Sequence, residues 1–194
     1  MRSDTERNRR HLIKAAALLF ENSPTPVSLA EIAKHAEVST ATAYRHFSSV
    51  EEILHAFRAQ VGSELRDFSA RQTTRGMVRL DAVSRYWVSL VLEHGGAMAQ
   101  MRSHRGYLER LRESTGYLTP QAEALAEPLR QTTEELGLGD LGDEALFLWN
   151  TLFDPRDILD LIKSGRTEDE AADRLVAAVR GALTGWAAAA DQER

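Results

Sequence analysis

Cysteine is absent from this 194-residue sequence. That one absence removes disulfides, thiolate zinc sites, iron–sulfur clusters and cysteine nucleophiles together. Long hydrophobic runs are missing too. The longest apolar stretches, such as residues 186–190, fall far short of the roughly 20 residues a membrane-spanning helix needs, and no membrane association is expected. Charge crowds the first ten residues and Lys14 interrupts the apolar run after them, so no secretory leader is expected and the cytoplasm is the expected location. Strand-like alternation and Gly-rich phosphate loops are lacking. None of the six histidines pairs with another at i, i+4, so the helical zinc motif is missing, and there is no nucleophile elbow. No metal, no cofactor and no enzymatic activity are therefore expected. Asp154, Asp157 and Asp160 recur at helical spacing, but Asp154 reads as a helix cap with Asp157 as its third-position partner.

What is present is an ordinary globular composition, 43% hydrophobic and 27% charged. A chain of this length buries about 70% of its unfolded surface. The net charge of −5 is unevenly spread: residues 1–58 carry eight basic and seven acidic groups, whereas residues 59–194 carry sixteen and twenty-two. Arg2, Arg7, Arg9, Arg10 and Lys14 form a cationic arm on an acidic body. Such an arm suits a local anionic partner, and it equally suits a solvated terminus.

The sequence reads as helix throughout. Ser or Thr is followed three residues later by Glu at Ser3/Glu6, Ser28/Glu31, Ser49/Glu52 and Thr167/Glu170, each a candidate helix start with a capping box. Thr119-Pro120 and Asp154-Pro155 place a cap residue before a first-turn proline. Breaks are expected at 22–27, 73–76, 95–96, 115–120, 137–142 and 164–166. The resulting helical segments are 4–21, 28–35, 39–46, 50–72, 77–94, 97–114, 120–136, 143–153, 155–164 and 167–189. An all-α fold is expected, with a small N-terminal unit, a connecting helix and a larger helical body.

Leu12, Ile13, Ala16, Leu19 and Phe20 share one face of the first segment, and Leu29, Ile32, Ala33 and Ala36 one face of the second. A three-residue turn, Glu37-Val38-Ser39, leads into a short helix with Ala43 and Phe47 inward. Small residues where two short helices cross, joined by a three-residue turn, predict helix-turn-helix geometry. Val38 plugs the turn and Ser39 caps the second helix. The outward residues Ser39, Thr40, Thr42, Tyr44, Arg45 and His46 are all hydrogen-bonding groups. A recognition helix places such side chains on base edges in the major groove; a short solvated helix has the same composition.

Residues 28–54, SLAEIAKHAEVSTATAYRHFSSVEEIL, resemble the DNA-binding signature of TetR-type (TetR/AcrR) transcriptional regulators. The resemblance lies in Ile32-Ala33, Ala36, Val38-Ser39, residues 42–47, Glu51-Glu52 and Leu54, while Asn8-Arg9-Arg10, Ala15-Ala16 and Leu19-Phe20 resemble the family's first helix. It covers about the first quarter of the chain. It implies a helix-turn-helix DNA-binding domain over 1–49 and a helical effector-binding and dimerisation domain over 50–194. It further implies a homodimeric regulator, expected to be a repressor, that binds an inverted-repeat operator in double-stranded DNA and is released by a small-molecule effector. The DNA contacts so implied are Arg9, Arg10, Ser39, Thr40, Thr42, Tyr44, Arg45, His46 and Ser48. Two positions depart from the pattern. The family commonly has Gly where Glu37 stands, and usually a phosphate-touching Lys where Val50 stands. These departures motivate the alternative of a ligand-binding or protein-interaction dimer of the same fold that has lost specific DNA binding.

In the body, Tyr86, Trp87, His94, Met98 and Met101 cluster in mid-chain, and Phe147, Trp149, Asn150 and Phe153 follow later. The candidate pocket set is Tyr86, Trp87, His94, Met98, Met101, Trp149, Asn150 and Phe153; aromatic and Met residues at helical spacing equally describe a core. Arg102, Arg105, Arg110 and Arg112 suit either an acidic ligand or pairing with Glu109 and Glu113. Residues 143–164 and 167–189 are the stretches for dimerisation. In the second, Leu175, Val176, Val179, Leu183 and Trp186 form an apolar stripe, and Ala171, Ala172, Ala178, Gly181, Ala182 and Gly185 would permit close helix approach.

Overall fold

A computed structural model describes residues 2–22, 27–99, 105–113 and 116–191. Among these residues every regular element is a helix: α1 (Arg2–Asn22), α2 (Leu29–His35), α3 (Thr40–His46), α4 (Val50–Ala70), α5 (Gly76–Ala99), α6 (Tyr107–Arg112), α7 (Thr119–Glu135), α8 (Asp143–Leu152), α9 (Pro155–Lys163) and α10 (Glu168–Asp191). No described helix is long and apolar enough to cross a membrane.

Most of the expected helix starts are present. At α2, Ser28 Oγ accepts from Glu31 N at 3.2 Å while Glu31 accepts from Ser28 N at 2.8 Å, a complete capping box. Thr167 and Glu170 form the same reciprocal pair. Asp154 caps α9 by accepting from Arg156 N, and its carboxylate also pairs with the Arg156 guanidinium, so Arg156 rather than Asp157 is the partner of the cap residue. At α4, Ser49 accepts from Glu52 N, but the Glu52 carboxylate reaches one residue further back, to Ser48. The helix after Thr115 starts with Leu118 in the cap position and no side-chain cap bond.

Two expected boundaries differ. Gly95 and Gly96 do not break a helix; α5 runs through both to Ala99. A Cβ on Gly96 would lie 2.6 Å from Glu21 Cα, and one on Gly95 would lie 2.8 Å from the Leu159 methyls. These glycines let α1 and α9 approach α5, a packing requirement that reads as a turn signal in the sequence alone. Of the segment expected over 97–114, residues 97–99 belong to α5 and Tyr107–Arg112 form the six-residue α6.

One continuous core runs through the molecule. α4 packs along α7, and α5 packs along α7, α1 and α9. The small unit closes around Leu12, Ala16, Ile32, Ala33, Ala43 and Phe47, and α4 carries that core onward through Ile53, Phe57, Val61 and Leu65. α1 therefore touches both α4 and α5, tying the orientation of the N-terminal helices to the body.

Candidate nucleic-acid interface

The turn between α2 and α3 is a Schellman ending. Val38 N donates to Ala33 O at 3.0 Å and Glu37 N to Lys34 O at 3.2 Å. That closure needs a left-handed residue, and Glu37 supplies it with φ 57°, the one non-Gly residue at positive φ among the described residues. A side chain in this conformation costs about 1–2 kcal/mol. Val38 is half-buried against the core and plugs the turn as expected.

Ser39 sits in extended backbone and caps α3, accepting from Thr42 N at 3.1 Å. Its hydroxyl also lies 2.8 Å from Thr42 Oγ1, and Arg45 Nη2 donates to that same oxygen at 3.0 Å. Ser39, Thr42 and Arg45, three residues apart, thus form a hydrogen-bonded ladder up one face of the helix. Ala43 and Phe47 lock the opposite face into the core. Tyr44 stands 59% exposed, its ring and hydroxyl both open to a partner surface. Thr40 and Arg45 are exposed and His46 is half-buried.

α1 frames this face. Arg9 and Arg10 are exposed, and the Arg9 guanidinium lies 4.4 Å from the centroid of the Phe47 ring. That cation–π contact fixes the arginine beside the C-terminal end of α3 with donors left over. Ser48 behaves differently. Its N–H and hydroxyl both donate to Glu52 Oε2, at 2.7 and 2.9 Å, and these bonds hold the Glu52 carboxyl below its usual range. Val50 is half-buried against the core and offers no cation. The face from Ser39 to Ser48 contains no acid.

These features match a known domain. Residues 12–57 fit the family model described as bacterial regulatory proteins, tetR family. The N-terminal domain is that of a TetR-family regulator. The whole chain has the fold of these regulators. A tetR-family transcriptional regulator from Streptomyces coelicolor is 23% identical, with 97% of this chain and 85% of that chain covered at a TM-score of 0.61. AmtR of Mycobacterium smegmatis is 22% identical, with 93% and 92% covered at 0.55. Among curated proteins, no sequence matches this chain. The match over residues 12–57 and the shared fold agree with the expected all-α architecture with an N-terminal helix-turn-helix unit.

The residues named for a pocket lie in several places. Trp87, Met98, Trp149 and Phe153 are buried. Trp149 stacks on Phe153 at 4.7 Å and meets Trp87 edge-on at 5.7 Å. Both indoles are satisfied, Trp87 Nε1 donating to Phe153 O at 3.0 Å and Trp149 Nε1 to Ser84 Oγ at 2.9 Å. Tyr86 instead stacks on Phe68, His94 lies edge-on to Phe57, and Asn150 is half-buried. Met101 and Arg102 lie outside the described residues. Of the basic run, Arg105 pairs with Glu113 and Arg110 donates to Tyr117 Oη.

On α10, Ala171, Ala172, Leu175, Val176, Val179 and Leu183 are buried within the subunit. Ala178, Gly181 and Gly185 are exposed, and a Cβ on either glycine would meet nothing within 4 Å. Trp186 is 41% exposed, donating to Glu144.

Sequence reasoning missed Arg58. It lies on the apolar stripe of α4, between Leu54 and Val61, and is buried. A lone cation at an inward i, i+3/i+4 position was the available signal.

Proposed function

We propose that this chain is a TetR-type regulator that binds an inverted-repeat operator as a homodimer and acts as a repressor released by a small effector. The observation that carries the reading is the outward face of α3: a ladder of hydroxyls and a guanidinium, an exposed Tyr44 and no acid, held from behind by Ala43 and Phe47. Thr40, Thr42, Tyr44, Arg45 and His46 read bases, with Ser39 serving mainly as the helix cap. Arg9 and Arg10 lie on phosphate, and Ser48 joins them only by exchanging Glu52 for the backbone. Residues 1–49 form the recognition unit and 50–194 the effector and dimerisation body.

Dimerisation through α8 and α10 is supported by the exposed small residues of α10 and by half-exposed Trp186. A two-fold dimer sets two recognition helices about 34 Å apart, one turn of DNA. The effector binds in the body beside the buried aromatic cluster. It favours a dimer whose recognition helices no longer match the groove, and α1, packed on both α4 and α5, carries the change. Coupling of this kind is typically about 1–3 kcal/mol.

The test is selection of bound fragments from source-genome DNA by the purified protein, then gel-shift titration of the winner at two salt concentrations. An enriched inverted repeat bound by one dimer is the expected result. Weak, sequence-blind retention that vanishes with salt overturns it and leaves an interaction dimer that has lost specific DNA binding.

A further inference from the structure

Arg58 presents an electrostatic imbalance. Its side chain is 7% exposed, and no carboxylate among the described residues forms an ion pair with it. Asp154 acts on it from a distance but is already engaged by Arg156. Among the described residues the guanidinium makes one hydrogen bond, Nη2 donating to Gln121 Oε1 at 3.3 Å, and Gln121 is itself 1% exposed. Arg58 Nε and Gln121 Nε2 are both buried without an acceptor. Two orphaned donors therefore adjoin, one of them on a cation. A buried, unpaired charge and a buried donor without a partner both destabilise the fold that holds them. A second guanidinium, Arg110, acts on the same group from α6, anchored on Tyr117 Oη, and buried Tyr107 and the stacked His55–Tyr117 pair complete the surroundings. At Arg58 and Gln121 a buried cation and two open donors meet, and no carboxylate among the described residues hydrogen-bonds to either.

We infer that the body binds a small organic anion whose carboxylate or phosphate head is received by Arg58 and Gln121. This rests on the reading that the body holds an effector, and it names the effector's chemistry. A guanidinium with Nε open offers the planar fork that carboxylates and phosphates accept from. The head group supplies the missing acceptors and the missing negative charge.

The experiment uses the full chain at constant ionic strength, with thermal shift and calorimetry. Benzoate and octanoate probe the carboxylate head, phenyl phosphate and inorganic phosphate the phosphate head, and benzamide and octanol are the neutral counterparts. One head-group class stabilises the wild type and its neutral counterparts do not. Arg58→Met loses about 10- to 100-fold in affinity for that anion. Without ligand, Arg58→Met is at least as stable as the wild type, because an apolar side chain of similar volume replaces an unpaired buried charge. The inference is overturned if no anion stabilises the wild type, if neutral compounds do so equally, if Arg58→Met binds the anion unchanged, or if that variant is markedly destabilised without ligand. Gel shifts separate this site from the release mechanism. An anion that binds through Arg58 but leaves operator occupancy unchanged preserves the site and removes effector release. A neutral compound that releases operator while no anion binds does the reverse.

Discussion

Replacing Glu37 by glycine isolates the cost of a left-handed residue in the recognition unit. Glu37 has φ 57° in a Schellman turn that both neighbouring helices require. Relieving the Cβ clash gains about 1–2 kcal/mol. Glycine's extra freedom in the unfolded chain returns about 0.5–1 kcal/mol of that. The net expectation is a stabilisation of about 0.5–1 kcal/mol, or roughly 2–4 °C per kcal/mol for a chain of this size. The carboxylate also sits at the C-terminal end of α2, where the helix dipole disfavours negative charge. Glu37→Gln and Glu37→Ala remove that charge and keep the Cβ, so they report the electrostatic part alone. Urea and thermal unfolding of the four proteins give the comparison. The reasoning fails if Glu37→Gly is no more stable than Glu37→Ala. In a gel shift, all three substitutions should bind DNA at least as tightly as the wild type, since each removes an anion beside the recognition helix.

Arg45→Ala should abolish specific operator binding with far-UV circular dichroism intact, whereas Arg9→Ala should lower the salt slope of binding by about one unit. Wild-type affinity in the first, or an unchanged slope in the second, would remove that residue from the interface. Gly96→Ala pushes a methyl into the α1 backbone, 2.6 Å from Glu21 Cα; overpacking of about 1–3 kcal/mol outweighs the roughly 1 kcal/mol gained in helix propensity. Gly95→Ala meets only the mobile end of Leu159 and should be milder, so equal denaturation midpoints would contradict the packing account. Gly181→Gln places its side chain in open space on α10; a dimer of unchanged mass by light scattering would exclude this stripe from the interface. Burial lowers His55 below its usual 6.5 despite Glu51, so the unfolded chain takes up the proton more readily. Stability from this residue is full above the unfolded value and declines as pH falls below it. His55→Phe keeps the stack on Tyr117 and should flatten that decline in pH-dependent unfolding; an unflattened profile would assign the decline to other groups.

Local chemistry decides some features before any tertiary contact forms, and these were legible. Ser28 and Glu31, Thr167 and Glu170, and Asp154 cap helices because donors and acceptors two or three residues apart meet in any helix start. The alternation of inward Ala43 and Phe47 with outward Thr42, Tyr44 and Arg45 follows from 3.6 residues per turn. That periodicity, with a three-residue turn before it, was enough to locate the candidate interface.

Long-range packing determined the rest. Gly95 and Gly96 read as a break because glycine's backbone freedom is a local property, while the closeness of Glu21 and Leu159 is not. The α10 stripe could not say which of its faces meets its own subunit, since both faces carry small residues. Arg58 looked like any helical arginine until α4 turned it inward against Gln121, 63 residues away. A sequence specifies which groups each element carries. Whether a charge is solvated or stranded depends on what the other elements bring beside it.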